Sequence, residues 1–250
     1  MNPYLQLSSV TVSFNGFLAL NDLNLDVSKG ELRCLIGPNG AGKTTALDLI
    51  CGKIKQSTGS ITFNGTILDG LEEHRIARAG IGRKFQVPSV FRDLTVSDNL
   101  RVACAQRPNV FSNLRPGHRQ ADNEAVERLA ELVGLTDQLK KPAAFLSHGQ
   151  TQWLEIGMLV AQNAALILMD EPTAGMTAQE TRKTADLFLR LKGRHTLIVV
   201  EHDMGFVKAI GDVISVMHLG QLLAQGSACE IEENPAVRKA YLGRGGITNA

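Results

Sequence analysis

Hydrophobic and polar residues alternate along several short stretches in the first third of the chain, and this period of two is typical of half-buried antiparallel strands. Asn15-Gly16 and Asn64-Gly65 are turn signals between such stretches. The pattern therefore predicts a small antiparallel layer with these strands: Leu5 to Phe14, Leu23 to Val27, Gly59 to Phe63 and Gly65 to Leu68.

A different pattern, short runs that are almost wholly apolar, predicts buried parallel strands alternating with helices. Leu32 to Ile36 is the first such strand, and Gly42 to Gly52 carries helical spacing directly after it. The alternation resumes with predicted strands at 166–169, 196–200, 213–218 and 221–224 and helices at about 178–192 and 204–210. We expect an α/β fold with a mainly parallel sheet.

Between these two parts, residues from about 88 to 160 predict a helical insertion within a single domain of residues 1–250. Thr95 and Asp98 fit a capping box at a helix start, and Asn123 to Gly134 has apolar residues at helical spacing. Arg107 to Arg119 has two prolines and no periodicity, which predicts a loop.

Composition places the chain among ordinary globular proteins. It has 250 residues, 44% of them hydrophobic and 20% charged, with a formal net charge of +1. This charge gives no reason to expect nucleic acid as a partner. The four cysteines form no C-x-x-C pair, so we expect them to be small hydrophobic core residues in a reducing compartment. No secretory signal is expected at the start, and the apolar runs are too short to cross a bilayer.

The loop between the first buried strand and its helix matches the phosphate-binding pattern G-x-x-x-x-G-K-[ST] at every position. Its glycines let backbone N–H groups curl around an anion, and the helix N-terminus adds positive potential. Lys43 is placed to reach the β- and γ-phosphates, and the Thr44 hydroxyl to bind Mg²⁺. The alternative is a glycine-rich turn that merely opens a helix, but such a turn needs neither of these side chains. The expected nucleotide contacts here are Gly37, Pro38, Asn39, Gly40, Ala41, Gly42, Lys43, Thr44 and Thr45.

Two carboxylates, Asp170 and Glu171, end the predicted strand at 166–169. Side chains at the carboxyl end of a parallel strand face the ligand crevice. Asp170 is therefore a candidate for holding Mg²⁺, and Glu171 for activating the attacking water. The alternative is that both are solvated residues before Pro172.

Ser147 and Gln150 fit a second capping box, which by itself only starts a helix. With Gly149 beside it, this helix N-terminus is also a second anion-binding position. A chain with one phosphate loop has no obvious use for two, which suggests a partner subunit.

The phosphate loop, the run Leu146 to Gln150, the Asp170-Glu171 strand end and Glu201-His202-Asp203 together resemble an ATP-binding-cassette ATPase over essentially the whole chain. The resemblance implies a P-loop NTPase core of the RecA-like type, an N-terminal antiparallel β subdomain and an inserted α-helical subdomain. In that family two cassettes dimerise head to tail, with each ATP between the phosphate loop of one and the Leu-Ser-x-Gly-Gln helix of the other.

The resemblance also implies roles for single residues. Ser147, Gly149 and Gln150 would face the ATP of the opposing subunit. Gln86 matches the residue that senses Mg²⁺ and the γ-phosphate, and His202 matches the switch histidine that positions the water.

Phe14 falls where the family stacks an aromatic ring on adenine, the alternative being an ordinary core residue. Two residues depart from the usual pattern of the family. His148 replaces a glycine, and Thr177 replaces an aspartate or asparagine. These departures concern coupling between subunits rather than nucleotide binding.

In finer detail the chain is similar to the branched-chain amino-acid group of bacterial uptake ATPases, and within it most similar to an ATP-binding subunit of urea importers. His148 and Thr177 are among the residues that carry this similarity. It implies ATP and Mg²⁺ as cofactors, and a place at the cytoplasmic face of the inner membrane. The expected partners are two permease subunits, a second ATPase or a second copy, and an external solute-binding protein.

Other functions remain as alternatives. A branched-chain amino-acid importer or a soluble cassette of the iron–sulfur assembly type would share every nucleotide motif. A regulatory GTPase would need an Asn-Lys-x-Asp guanine reader, and no Asn-Lys pair occurs in the sequence. A DNA-repair cassette would need a long coiled-coil insertion, for which the helical insertion is too short.

Overall fold

The computed structural model describes residues 3–84, 90–105 and 118–242. The chain folds into two compact units, each of which is described by itself. The first unit comprises Met1–Gly82, Ala165–Pro172 and Leu191–Ala250, and the second comprises Arg83–Ala164 and Thr173–Arg190.

A four-stranded antiparallel sheet with the order β2-β1-β4-β5 forms the N-terminal layer of the first unit. Its strands are β1 (Leu5–Phe14), β2 (Phe17–Val27), β4 (Thr58–Phe63) and β5 (Thr66–Ile67). Asn15 and Gly16 both have positive φ, 51° and 89°, as the two-residue turn between β1 and β2 requires. The predicted antiparallel layer and its first turn are confirmed.

A six-stranded sheet with the order β10-β9-β3-β8-β7-β6 forms the second layer. Its strands are β3 (Leu32–Ile36), β6 (Ile81–Lys84), β7 (Leu166–Asp170), β8 (Thr196–Val200), β9 (Val213–His218) and β10 (Gln221–Gly226). The pairs β3–β8, β3–β9 and β7–β8 are parallel, and β10 runs antiparallel to β9. Every residue of β3, β7 and β8 is buried, as their continuous apolar runs predict.

Short helices connect the strands of the first unit, and none of the described helices in either unit is long and apolar enough to span a membrane. They are α1 (Lys43–Ile50), α2 (Glu73–Arg78), α7 (Met204–Ile210), α8 (Ala228–Glu233) and α9 (Pro235–Leu242). α1 contributes Ala46, Leu47, Leu49 and Ile50 to one hydrophobic cluster with residues of both sheets. This burial fixes the loop that precedes α1.

The second unit is mainly helical. Its helices are α3 (Val96–Ala105), α4 (His118–Leu132), α5 (His148–Ala161) and α6 (Ala178–Leu191). Gly157 lets α5 pack closely, because a Cβ there would lie 3.1 Å from Val133 and 3.3 Å from Leu100. The predicted insertion is therefore helical in its described residues. The predicted loop at 107–119 lies mostly outside them, and α4 begins at His118 rather than near Asn123.

Candidate nucleotide-binding site

The loop from Gly37 to Gly42 joins the buried strand β3 to α1. At its two ends the backbone has a conformation and surroundings that only glycine fits well. Gly37 has φ of 152°, and a Cβ there would lie 2.2 Å from the carbonyl oxygen of Met217. Gly42 has φ of 100°, and a Cβ there would lie 2.7 Å from the carbonyl oxygen of Ala19. The loop is thus pressed against the neighbouring backbone, and its path depends on these two glycines.

The N-terminus of α1 is available for an anion. Its N-cap is Gly42, and no side chain among the described residues caps it. The first N–H groups of a helix need acceptors, and phosphate oxygens are well suited because the helix dipole adds positive potential.

Lys43 bends back over the loop. Its Nζ donates hydrogen bonds to the carbonyl oxygens of Gly37, at 2.7 Å, and Pro38, at 3.1 Å. Burial lowers the pKa of Lys43 from its ordinary value, while the charges of Glu171 and Asp170 act in the opposite direction. The ammonium group thus contacts the loop carbonyls and is within the influence of both carboxylate charges. Phosphate oxygens can replace these carbonyls as acceptors.

A cavity of about 230 Å³ lies over the loop. Its lining residues are Phe17, Ala19, Asn39, Gly40, Ala41, Gly42, Lys43, Thr44, Thr45 and Glu171. The structure thus brings most of the predicted phosphate-loop residues and Glu171 to one concavity within the first unit.

The aromatic ring at the rim of this cavity is that of Phe17, whose residue is 67% exposed. Phe14 is its direct cross-strand partner, so both side chains lie on one face of the β1–β2 hairpin. Phe14 is 48% exposed, which does not fit an ordinary core residue. Sequence reasoning missed Phe17, although its position just after the Asn15-Gly16 turn could have indicated it.

Asp170 and Glu171 follow one another at the end of β7 but have different environments. Asp170 is 6% exposed, whereas the Glu171 side chain is 47% exposed. Glu171 has φ of 45°, unusual for a residue with a side chain, and its N–H donates to the carbonyl oxygen of Val200 at 2.9 Å. Strained backbone of this kind persists where surrounding contacts enforce it, and it is frequent at active sites.

His202 follows β8, the strand adjacent to β7. Its Nδ1 lies 3.8 Å from Oε1 of Glu171 and 4.0 Å from Oε2 of Glu201. The backbone N–H of His202 donates to Oε2 of the buried Glu201 at 3.2 Å, which fixes the chain where the histidine leaves the strand. The imidazole and the Glu171 carboxylate therefore face each other across two strand ends.

The residues present suit a magnesium ion that is shared with phosphate. Oxygen donors are the ligands that Mg²⁺ prefers, usually one or two from protein with the rest from phosphate and water. The Thr44 hydroxyl and the Asp170 carboxylate would supply such donors. The described residues contain no group of three or more His, Cys, Asp or Glu side chains that could hold a metal ion.

The second anion position, at the start of α5, lies in the other unit. Ser147 is the N-cap and forms a complete capping box with Gln150, as predicted. Nε2 of His148 lies 3.1 Å from the carbonyl oxygen of Ala174, so the unusual histidine holds the loop before α6.

Gln86 lies outside the described residues. Glu180, which sequence reasoning missed, accepts a hydrogen bond from Ser147, and its Thr177-x-x-Glu180 capping pattern was the available signal.

A glycine loop between a buried parallel strand and a helix, with a lysine turned into it, defines a P-loop nucleotide-binding protein. Residues 20–174, more than half of the chain, match the sequence model of the family described as ABC transporter. The chain belongs to this family, and it is an enzyme, an ATPase.

Named relatives cover nearly the whole chain. The high-affinity branched-chain amino acid transport ATP-binding protein LivG of Salmonella typhimurium is 38% identical, over 96% of this chain and 98% of that protein. BraF of Pseudomonas aeruginosa, with the same description, is also 38% identical over 96% and 98%.

A solved structure supports the fold. The ADP conformation of MJ1267, an ATP-binding cassette of an ABC transporter, is 28% identical with a TM-score of 0.85, over 98% of this chain and 100% of that one. The predicted fold class is confirmed as the ABC ATPase cassette, with its antiparallel β subdomain and helical insertion.

Proposed function

We propose that the chain is the ATPase subunit of a bacterial importer at the cytoplasmic face of the inner membrane. The observation that carries this proposal is the 38% identity to transport ATP-binding proteins over 96% of the chain.

Branched-chain amino acids are the proposed cargo. The descriptions of LivG and BraF both name branched-chain amino acid transport. This favours branched-chain amino acids, the alternative cargo expected from the sequence, over urea. Urea remains the second candidate, because His148 and Thr177 resemble the urea-importer group. His148 lies against the carbonyl oxygen of Ala174, three residues before Thr177.

In the proposed reaction, Lys43 and the N–H groups at the start of α1 bind the phosphates, and bound Mg²⁺ would neutralise part of their charge. The oxygen of a water molecule attacks the γ-phosphorus, the bond to the β–γ bridging oxygen breaks, and ADP leaves. Glu171 accepts the proton of the water. His202, across from Glu171, positions that water, and Gln86 is assigned the sensor role only by resemblance.

A second cassette is proposed to complete the site, either another copy or a related ATPase. The support is the capped N-terminus of α5, where Ser147, Gly149 and Gln150 form an anion-binding position that the chain's own phosphate loop does not require. Ser147→Ala is therefore expected to weaken ATP-driven dimerisation while leaving ATP affinity of the monomer nearly unchanged.

The matched control is Ser227→Ala, which removes the N-cap of an equivalent capping box on α8. Both variants lose one cap, so they should lose similar stability, about 1 kcal/mol. Equal effects of the two on dimerisation, measured by light scattering, would contradict the opposing-subunit role of Ser147.

The permease subunits need a docking surface, and the second unit offers an apolar one. The segment before α3 pairs with the segment before α5, since Ala143 N–H donates to the carbonyl oxygen of Leu94 at 2.9 Å. Phe91, Leu94 and Phe145 on these segments are 49%, 37% and 69% exposed. Large exposed apolar side chains grouped in this way favour protein contacts. The external solute-binding protein would act only through the permeases.

Uptake in cells that lack the chain tests the proposed function. We expect these cells to lose uptake of labelled leucine and to keep uptake of labelled urea. The wild-type chain should restore leucine uptake, and Glu171→Gln should not. Loss of urea uptake alone would favour the second candidate. If neither is lost and no membrane protein co-purifies from detergent extract, the importer proposal is wrong.

A further inference from the structure

The carboxylate of Glu180 links the start of α6 to the start of α5. Its Oε2 accepts hydrogen bonds from the N–H of Thr177, at 3.0 Å, and from the Thr177 hydroxyl, at 2.9 Å. Its Oε1 accepts a hydrogen bond from the Ser147 hydroxyl at 3.0 Å. Oε2 is thus bonded within the capping box of α6, and Oε1 is bonded to the N-cap residue of α5.

The single proton of the Ser147 hydroxyl is used in this arrangement. Its oxygen accepts from the N–H of Gln150 at 3.2 Å, and its single proton is given to Glu180. A hydroxyl has only one proton to donate. Ser147 can donate to a phosphate oxygen only after its bond to Glu180 is broken.

Gly149 has the same neighbour. A Cβ built on Gly149 would lie 2.6 Å from Oε1 and 2.8 Å from the carboxyl carbon of Glu180. The carboxylate therefore lies against both residues that the resemblance assigns to the γ-phosphate of an opposing ATP, Ser147 and Gly149.

Glu180 is a negatively charged carboxylate at neutral pH, and its hydrogen bonds stabilise this form. The bond from the Thr177 backbone, followed by that from the Thr177 hydroxyl, lowers the pKa of Glu180 below its ordinary value, and burial opposes this. An anion at the N-terminus of α5 is also favoured by the helix dipole. A phosphate entering this position would meet a negative charge already there.

We propose that Glu180 is an internal competitor for the opposing nucleotide, which holds the Ser147 hydroxyl in the open state and must release it before the dimer closes. This rests on the proposed pairing of two cassettes. Glu180 is in this sense a positioning residue that sets the ATP concentration at which closure occurs. When Ser147 releases Oε1 of Glu180 and donates to phosphate instead, Oε2 of Glu180 keeps its bonds to Thr177. This exchange therefore does not require α6 to lose its cap.

Trp153 offers a reporter of the exchange. It is the only tryptophan of the chain, and its Nε1 donates to Oγ1 of Thr184 at 2.9 Å. Oγ1 of Thr184 in turn donates to the backbone carbonyl oxygen of Glu180 at 2.9 Å. A displacement between the starts of α5 and α6 should therefore change the emission of this indole.

The test compares Glu171→Gln with Glu171→Gln/Glu180→Gln in full-length protein titrated with ATP and Mg²⁺, read by light scattering and by Trp153 emission. Glutamine keeps the capping geometry toward Thr177, but its amide donates to Ser147 and leaves the serine proton for phosphate. The double variant is expected to dimerise at an ATP concentration lower by roughly threefold to tenfold, since loss of one repulsive surface charge is a modest effect.

The matched control is Glu171→Gln/Glu230→Gln, in which Glu230→Gln changes the same position in the capping box of Ser227 on α8. It should leave the ATP midpoint unchanged and lower thermal stability as much as Glu180→Gln does. A purely structural role for Glu180 would weaken dimerisation, not strengthen it.

The outcomes are distinct. An unchanged or higher ATP midpoint for the Glu180 variant, with Glu171→Gln forming a dimer, overturns the competitor role alone. If only the double variant dimerises, the competitor role is supported in its strongest form. If neither dimerises, the proposed pairing fails, and the competitor role fails with it.

Discussion

Nδ1 of His202 lies 3.8 Å from Oε1 of Glu171, although the two residues are far apart in sequence. The register of two parallel strands produces this proximity. Asp170 at the end of β7 pairs with Val200 at the end of β8, so the residues that follow each strand leave the sheet side by side. A carboxylate and an imidazole at adjacent strand ends can hold one water molecule between them.

Glu171→Gln should abolish ATP turnover while ATP binding is kept. Glutamine has nearly the same size but cannot accept the proton of the attacking water, and loss of a general base costs roughly 100-fold to 10,000-fold. Phosphate release measures the turnover, and equilibrium binding of ATP measures the affinity, which should change less than about twofold.

Glu72→Gln is the control for Glu171→Gln. It breaks another exposed glutamate–histidine pair in the same unit, in which Nδ1 of His74 lies 3.2 Å from Oε2 of Glu72. Turnover should stay at the wild-type rate. Substantial phosphate release by Glu171→Gln would remove that residue from the catalytic role.

Gly37→Ala should destabilise the protein much more than Gly40→Ala. Both glycines have positive φ, but a Cβ at Gly37 would lie 2.2 Å from a backbone oxygen, whereas a Cβ at Gly40 would have no heavy atom of the described residues within 4 Å. We expect a fall in melting temperature of roughly 5–10 °C for Gly37→Ala and less than half of that for Gly40→Ala, in nucleotide-free protein. Equal melting temperatures would show that the loop can move away from Met217.

Much of the core was predictable because its signals are local. An apolar run followed by a glycine loop fixes β3 and α1, and Leu166 to Asp170 and Thr196 to Val200 are apolar enough to be buried strands. Ser147 and Gln150 also indicate their helix start without any tertiary information.

Other elements depend on tertiary contacts that no local pattern contains. β2 begins at Phe17 rather than at Leu23, because its first four residues are all apolar and do not alternate. α2 and β6 were not predicted, since they are short, and α2 buries only Ile76 among its residues. The contact of Glu180 with Ser147 joins residues 33 positions apart, and only the folded chain shows it.

Phe17→Ala should weaken ATP binding more than Phe14→Ala does. Phe17 lines the cavity over the phosphate loop, and stacking of an aromatic ring on a base contributes about 1–3 kcal/mol, or roughly fivefold or more in affinity. Binding of a fluorescent ATP analogue measures the difference. Phe17→Leu, which keeps an apolar side chain without a stacking face, is the matched control. A loss confined to Phe14→Ala would return the adenine contact to the residue predicted from sequence.

The cysteines should differ strongly in reactivity toward alkylating reagents. Cys34 is fully buried in β3, and burial, with smaller contributions from the charges of Glu201 and Asp212, raises its pKa to about 12. Cys229 is exposed at the start of α8. At a pH of about 8, alkylation followed by mass spectrometry should modify Cys229 in the native protein and Cys34 only after unfolding, because the thiolate is the reactive form. Rapid labelling of Cys34 would contradict the burial of β3.

Thr184→Val should cost about 1–3 kcal/mol of unfolding free energy, because it leaves a buried donor without an acceptor. The Trp153 indole is 5% exposed and donates to Oγ1 of Thr184, which is itself fully buried. Valine has nearly the same volume as threonine, so packing is preserved while the hydrogen bond is lost. Thr184→Ser keeps the hydroxyl and is the control for loss of the methyl group. Urea unfolding followed by Trp153 emission measures both variants. If Thr184→Val proves as stable as the wild type, the α5–α6 junction does not depend on this hydrogen bond, and Trp153 would report closure less directly than proposed.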